Sequence, residues 1–183
     1  MKTPKFISAT LIASVIFCGL ASFRPIPKGA KAVKPFNQKK YLGTWYEIAR
    51  LDYKWERNLN NVTATYSLRE DGKIKVDNRG YNYKKNKWEE SVGKAKPASD
   101  PTEGRLKVSF FGPFYSEYNV IALDQDYKYA LVAGSNTKYL WILSREKTIP
   151  EKVKLEYLEK AKSLGYKIED LVWVEHGKNP VGF

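Results

Sequence analysis

The chain has 183 residues, of which 43% are hydrophobic, 28% charged and 14% aromatic, with five Trp and thirteen Tyr. That balance excludes a disordered chain, and the length suits a single folded domain. The formal net charge is +12, but the lysines scatter over turns and alternate strand positions with no basic recognition helix, so nucleic acid is excluded, leaving solubility or an anionic membrane surface as the use of the charge.

Residues 1–21 read as an export signal. Lys2 and Lys5 form a positive start, Phe6 to Phe23 carries no charge, and Gly19 and Ala21 supply a small-residue exit. A retained transmembrane helix is disfavoured by Ser8, Thr10 and Ser14, because a span needs about 20 predominantly apolar residues. Cys18 is the only cysteine, so the exported domain has no disulfide and depends on a packed core. Two of the twelve net positive charges belong to Lys2 and Lys5, and ten to the remainder. Residues 22–35, with Pro25, Pro27, Gly29 and Pro35, are expected to form a linker or an extended arm.

Short strands joined by turns follow. The first is expected over Gly43–Tyr53. Val62–Leu68 alternates, with Val62, Ala64, Tyr66 and Leu68 on one face. After the Glu70-Asp71-Gly72 turn comes Ile74–Tyr83, with Ile74, Val76 and Asn78 on one face and Lys73, Lys75 and Asp77 on the other. Lys84-Lys85-Asn86 turns into Trp88–Lys96, where small Ser91, Gly93 and Ala95 share a face. A loop over 97–104 leads to Arg105–Phe111, with Leu106, Val108 and Phe110 inward and Lys107 and Ser109 outward. Gly112-Pro113 turns into Phe114–Leu123, then Tyr127–Gly134 and Lys138–Arg145 complete eight strands. Strands and turns at this spacing make a sandwich or a barrel. Thr148 with Glu151 reads as a capping box opening a helix at about 150–164. Its stripe is Tyr157, Leu158, Ala161 and Leu164, and Gly165 ends it. One apolar stripe means one buried face, so the helix lies outside the sheet. A last strand over Leu171–Val174 precedes a tail at 177–183.

The segment Gly43-Thr44-Trp45-Tyr46-Glu47-Ile48-Ala49-Arg50 resembles the Gly-x-Trp opening motif of the lipocalin family. Asp126-Tyr127 resembles its Asp-Tyr turn before the seventh strand, and Leu143-Ser144-Arg145 its Arg at the end of the eighth. The likeness runs over residues 36–176. Phrases such as Tyr-Leu-Gly-Thr-Trp-Tyr-Glu-Ile-Ala-Arg and Lys-Val-Ser-Phe-Phe-Gly-Pro-Phe-Tyr are similar to the bacterial outer-membrane lipocalin branch. The resemblance implies an all-β, eight-stranded antiparallel up-and-down barrel with one C-terminal helix outside. It implies an envelope protein, in the periplasm or outer membrane, that binds a fatty acid or lysophospholipid. Lipidation at Cys18 fits Gly19 but not the bulky Phe17, and ordinary cleavage at Gly19-Leu20-Ala21 is the alternative. In such a barrel Gly43, Trp45, Asp126, Tyr127 and Arg145 are structural, with Arg145 packed on Trp45 at the closed end.

The expected ligand wall, from strand parity and the aligned motifs, is Ala64, Tyr66, Val76, Ser91, Gly93, Val108, Phe110, Tyr118, Val120 and Trp141. Tyr118, Val120 and Ala122 are taken as inward on the sixth strand, and Tyr139, Trp141 and Leu143 on the eighth, leaving Leu140 and Ile142 for the helix. The Tyr66 and Tyr118 hydroxyls can donate to a ligand carboxylate or phosphate. Glu47 shares the parity of Trp45, and a buried carboxylate needs a partner, a tyrosine or an arginine. No cofactor or metal is implied, and the single His176 lies in the tail with no Ser/His/Asp set to join. The expected function is carriage or storage of a hydrophobic ligand. An envelope interaction protein with a filled barrel is the alternative, and a lipid-modifying enzyme is disfavoured. Monomer and homodimer both stay open.

Overall fold

The computed structural model describes residues 25–177. The signal-like segment with Cys18, and all but the first residue of the 177–183 tail, fall outside the described residues. The elements are α1 (Gln38–Tyr41), β1 (Gly43–Leu51), β2 (Leu59–Leu68), β3 (Ile74–Asn82), β4 (Lys87–Pro97), β5 (Arg105–Phe111), β6 (Phe114–Leu123), β7 (Tyr129–Ala133), β8 (Leu140–Ser144), α2 (Glu151–Ser163) and β9 (Leu171–Trp173). Consecutive strands pair antiparallel from β1 to β8, and β8 returns to β1, so eight strands close on themselves. Closure removes the edges that an open sheet would leave, apart from that of β9, which pairs only with β1.

The closing seam is divided along β1. Its first half, Gly43–Tyr46, pairs with β2. Its second half, Ala49–Leu51, pairs with β9 instead. The residues after β9 continue the seam: Val174 N donates to Ile48 O at 2.9 Å, Asn61 N to Glu175 O at 2.8 Å, and the His176 ring lies 2.8 Å from Glu47 O. The segment past the last strand is therefore part of the barrel wall.

Alternation sorts the side chains into two cores. The inner one holds Trp45, Tyr66, Val76, Val108, Val132 and Leu143. The outer one lies between the sheet and α2, and gathers Ile121, Leu131, Ile142, Tyr157, Ala161 and Leu171. Tyr157 OH also donates to Tyr129 O at 2.9 Å, which pins the helix to β7.

Of four register shifts in the barrel, three overturn parity-based assignments. A register shift between Val120 and Ala122 sends Ala122 to the outer core and turns Leu123 inward. A shift between Glu47 and Ala49 puts both Ile48 and Ala49 in the outer core and Arg50 inside. One extra residue on a strand reverses every later side chain. A third irregularity, past Val108, accompanies a buried Ser109, whose hydroxyl donates to Gly112 O at 3.1 Å instead of facing solvent. Leu68, expected inward, ends β2 at the closed end and is 57% exposed.

Other expectations also change. The helix begins after Pro150, which has no side-chain cap, so the Thr148 capping box does not form; the Thr148 carbonyl instead accepts from Ser144 Oγ at 2.8 Å. Residues 25–35 are no free linker. Val33 N donates to Val120 O at 2.8 Å, Gly104 N to Val33 O at 2.9 Å, and Asn119 Nδ2 to Pro25 O at 3.0 Å. The extended arm thus docks along the outside of the closed end and fills ladder positions between β5 and β6.

Candidate functional site

The closed end is built around Trp45. The Arg145 guanidinium lies 3.9 Å from the centre of the indole ring. It donates to the carbonyls of Leu42 and Thr44 at 2.8 Å and of Lys40 at 3.0 Å, so it gathers the last turn of α1 and the start of β1. The indole N–H donates to Tyr41 O at 2.9 Å. In the turn before β7 the organising carboxylate is Asp124, not Asp126. Asp124 Oδ1 accepts from Lys128 N and Tyr129 N, each at 2.6 Å, whereas Asp126 is exposed beside Lys128. Tyr127 stands at φ +60°; its carbonyl accepts from Arg145 Nε, and its hydroxyl from Asn37 N. Gly43 is at φ +94°, and a Cβ there would meet the Arg145 guanidinium at 3.3 Å, which explains the glycine.

Above this floor a cavity of about 990 Å³ opens between the loop after β1 and the β5–β6 and β7–β8 hairpins. That volume sits at the upper end of the range for small-molecule sites. Of the expected wall residues, Ala64, Tyr66, Val76, Ser91, Val108, Phe110, Tyr118 and Trp141 line it. Two do not. Val120 is fully buried in the inner core toward the closed end. Gly93 leaves no room for a ligand, because a Cβ there would lie 2.7 Å from the Phe110 ring and 2.7 Å from Ser109 O. The space next to the glycine belongs to the phenylalanine.

Tyr66 OH donates to Tyr118 OH at 2.9 Å, and Tyr41 OH lies 2.7 Å from the same oxygen. Three hydroxyls share two hydrogen bonds, so one proton is left over; when Tyr41 donates, it is the Tyr118 proton that faces the cavity. Burial holds all three phenols well above their ordinary titration range, so they are neutral donors. Tyr41 sits on the short α1, which has no helical period to read.

A second polar group lies nearer the mouth. Glu47 Oε1 accepts from Arg50 at 2.7 Å, and the two side chains are 5% and 1% exposed. Arg50 also donates to the carbonyl of Glu56 at 2.6 Å. The Glu56 carboxylate folds in from the loop after β1 and accepts from Trp141 Nε1 at 3.0 Å. Burial raises the Glu47 pKa to about 8, and the Glu56 charge adds to this; Arg50 pulls the other way without offsetting it. Burial likewise raises Glu56, against the pull of the Trp141 hydrogen bond. Sequence parity found Glu47 but neither Arg50, displaced by a bulge, nor Glu56 and Tyr53, which lie in an aperiodic loop. Two further buried atoms on the wall, Asn78 Oδ1 and Glu117 Oε2, have no hydrogen-bond partner among the described residues. No group of three His, Cys, Asp or Glu able to hold a metal ion occurs among the described residues.

The model of the family described as "Lipocalin-like domain" matches residues 36–176. The chain is 51% identical over 172 residues to "Outer membrane lipoprotein Blc" of Escherichia coli (strain K12), covering 94% of this chain and 96% of that protein. It is 45% identical over 166 residues to the protein of the same name from Vibrio cholerae, covering 90% and 95%. Among solved structures, insecticyanin from the tobacco hornworm superposes with a TM-score of 0.69 at 21% identity, over 85% of this chain and 89% of that one, a likeness of fold.

Proposed function

The chain belongs to the lipocalin family, and on that premise we propose that its barrel takes up a single-chain lipid, a fatty acid or a lysophospholipid, at the bacterial cell envelope. Lipocalins bind small hydrophobic ligands and are carriers, not enzymes. The observation that carries the finer reading is the cavity itself. Its walls include the apolar Val62, Ala64, Val76, Val108 and Leu143, and charged side chains such as Lys54, Glu89, Glu90 and Lys107 share the lining with them. Such a space accepts an alkyl chain, whose burial is worth about 0.8 kcal/mol per CH₂. The single free proton of the tyrosine trio suits one ligand oxygen. A filled barrel acting only as a docking module is disfavoured by the size of that space.

The relatives named as outer membrane lipoproteins support export of this chain and attachment through Cys18. One experiment addresses both halves of the reading. The protein is purified from envelope fractions without added lipid, and its intact mass and organic extract are measured by mass spectrometry. The expected result is a chain that begins at a diacylated Cys18 and an extract containing fatty acid or lysophospholipid. A lipid-free extract, with no tryptophan quenching on titration with oleate or lysophospholipid, would refute the ligand. A chain beginning after residue 21 would refute the anchor.

A further inference from the structure

The mouth of the cavity has the wrong charge for the protein that contains it. The chain as a whole carries a net +12. Yet the buried Glu47 and the half-buried Glu56 share one guanidinium, that of Arg50, which pairs with the Glu47 carboxylate and donates to the Glu56 backbone carbonyl. Farther along the wall Glu89, Glu90 and Glu117 stand against Lys54, Arg79 and Lys107. Glu47 is 5% exposed and lines the cavity, and one of its oxygens accepts from Arg50. Two carboxylates and one guanidinium in a low-dielectric wall leave one negative charge uncompensated. Such a charge is covered either by a proton or by a cation. The upward pull of burial on both glutamates expresses the same deficit.

Aromatic rings stand beside these carboxylates. Tyr139 and Trp141 run parallel on β8, with centroids 6.3 Å apart and 13° between their planes. Tyr53, from the loop that also carries Glu56, stands edge-on to both, at 5.6 Å and 86° to Tyr139 and at 6.2 Å and 89° to Trp141. The three rings and the carboxylate hydrogen-bonded to Trp141 gather aromatic surface and negative charge on one part of the wall, and both attract a cation. A carboxylate head group placed there would be repelled by the Glu56 carboxylate.

We propose that the corner formed by Tyr53, Tyr139, Trp141, Glu47 and Glu56 binds the ammonium head group of a single-chain amphiphile whose tail lies in the cavity below. The ammonium supplies the missing positive charge, and no proton is then needed on the glutamates. The inference rests on the chain-binding reading above and narrows its ligand to one with a cationic nitrogen. That nitrogen can belong to a zwitterionic lysolipid or to a long-chain amine.

The test titrates the protein, by tryptophan quenching below micellar concentrations, with three probes of equal chain length: tetradecyltrimethylammonium, tetradecanol and tetradecanoate. The ammonium probe is expected to bind about tenfold tighter than the alcohol, with tetradecanoate weakest of the three. In Glu56→Gln, where the amide oxygen can still accept from Trp141, that ratio is expected to fall toward one; Tyr53→Leu should lower it as well. Thermal melts of both variants check that they fold. Lysophosphatidylcholine against lysophosphatidylglycerol separates the sources. A preference for the choline lipid identifies a zwitterionic lysolipid, and equal affinity alongside a retained alkylammonium preference identifies a long-chain amine. Equal binding of all three tetradecyl probes, or an unchanged ratio in Glu56→Gln, overturns the ammonium corner and leaves the chain-binding reading standing. Failure of every probe to bind overturns both.

Discussion

Glu47 illustrates what a single residue can do inside a barrel. Its parity with Trp45 marks it as inward, and an inward carboxylate requires a partner. The partner, Arg50, lies three positions away, where strict alternation would put it on the outer face; a bulge brings it inside. Burial raises the Glu47 pKa to about 8 from an ordinary 4.5. Below about 4.5 the folded and unfolded chains both hold the proton. Between about 4.5 and 8 the unfolded chain has released it and the folded chain has not, so the stability this group contributes is lost as pH rises through that window. His176 acts in the opposite direction. Burial lowers its pKa from 6.5, so the folded chain releases that proton first and is stabilised as pH rises through the range below 6.5. Comparison of Glu47→Gln with the parent chain separates the two, because His176 is common to both. The urea midpoint of the parent is expected to decline more steeply from pH 5 to pH 8 than that of Glu47→Gln. Parallel curves would show that Glu47 is ionised in the folded state.

Strand elements follow their patterns closely where the turns are tight. The ranges of β5 and β6 are those that the alternation and the Gly112-Pro113 turn predict. The elements diverge where packing overrides period. The capping box at Thr148 gives way to a start at Pro150, and α1 forms from a segment with no stripe, its Asn37 side chain accepting from Lys40 N. The face of β4 is the most instructive case. Ser91, Gly93 and Ala95 share a parity, and small residues alone suggest open space. In the barrel β5 crosses beside them, and the Phe110 ring fills the gap at Gly93. Gly93→Ala is therefore expected to destabilise the fold by about 1–3 kcal/mol through overpacking. In a double-mutant cycle with Phe110→Ala, the pair should cost less than the sum of the single changes, because removal of the ring relieves one of the two clashes. Additive costs in urea unfolding would show that the ring does not occupy that space.

The whole molecule is a barrel whose floor is a packed aromatic plug and whose upper half is hollow. Ala64 lines the cavity and is half-buried, so Ala64→Phe is expected to fill the hollow without breaking the floor. The variant should melt cooperatively and fail to quench with long-chain acids. In the parent chain affinity should rise about fourfold per added CH₂ until the cavity is full. Native affinity in a folded Ala64→Phe would move the ligand out of the barrel. The strand count, the closing Trp45–Arg145 contact, the outer helix and most of the inward wall were legible in the sequence, because they depend on local period and on motif residues that act where they stand. The corner proposed for the head group was legible only in Glu47, Tyr139 and Trp141. Arg50, Tyr53 and Glu56 belong to a bulge and a loop, where no period tells which way a side chain points. The hydroxyl trio needed Tyr41, brought to Tyr118 across 77 residues of chain. Sequence periodicity alone determined a run of short strands, a sandwich or a barrel, with one helix outside, and the likeness of the motifs to the lipocalin family chose the closed barrel between the two. Which charges meet inside it was decided only by closure, which brings together residues from strands and loops whose local patterns carry no information about one another.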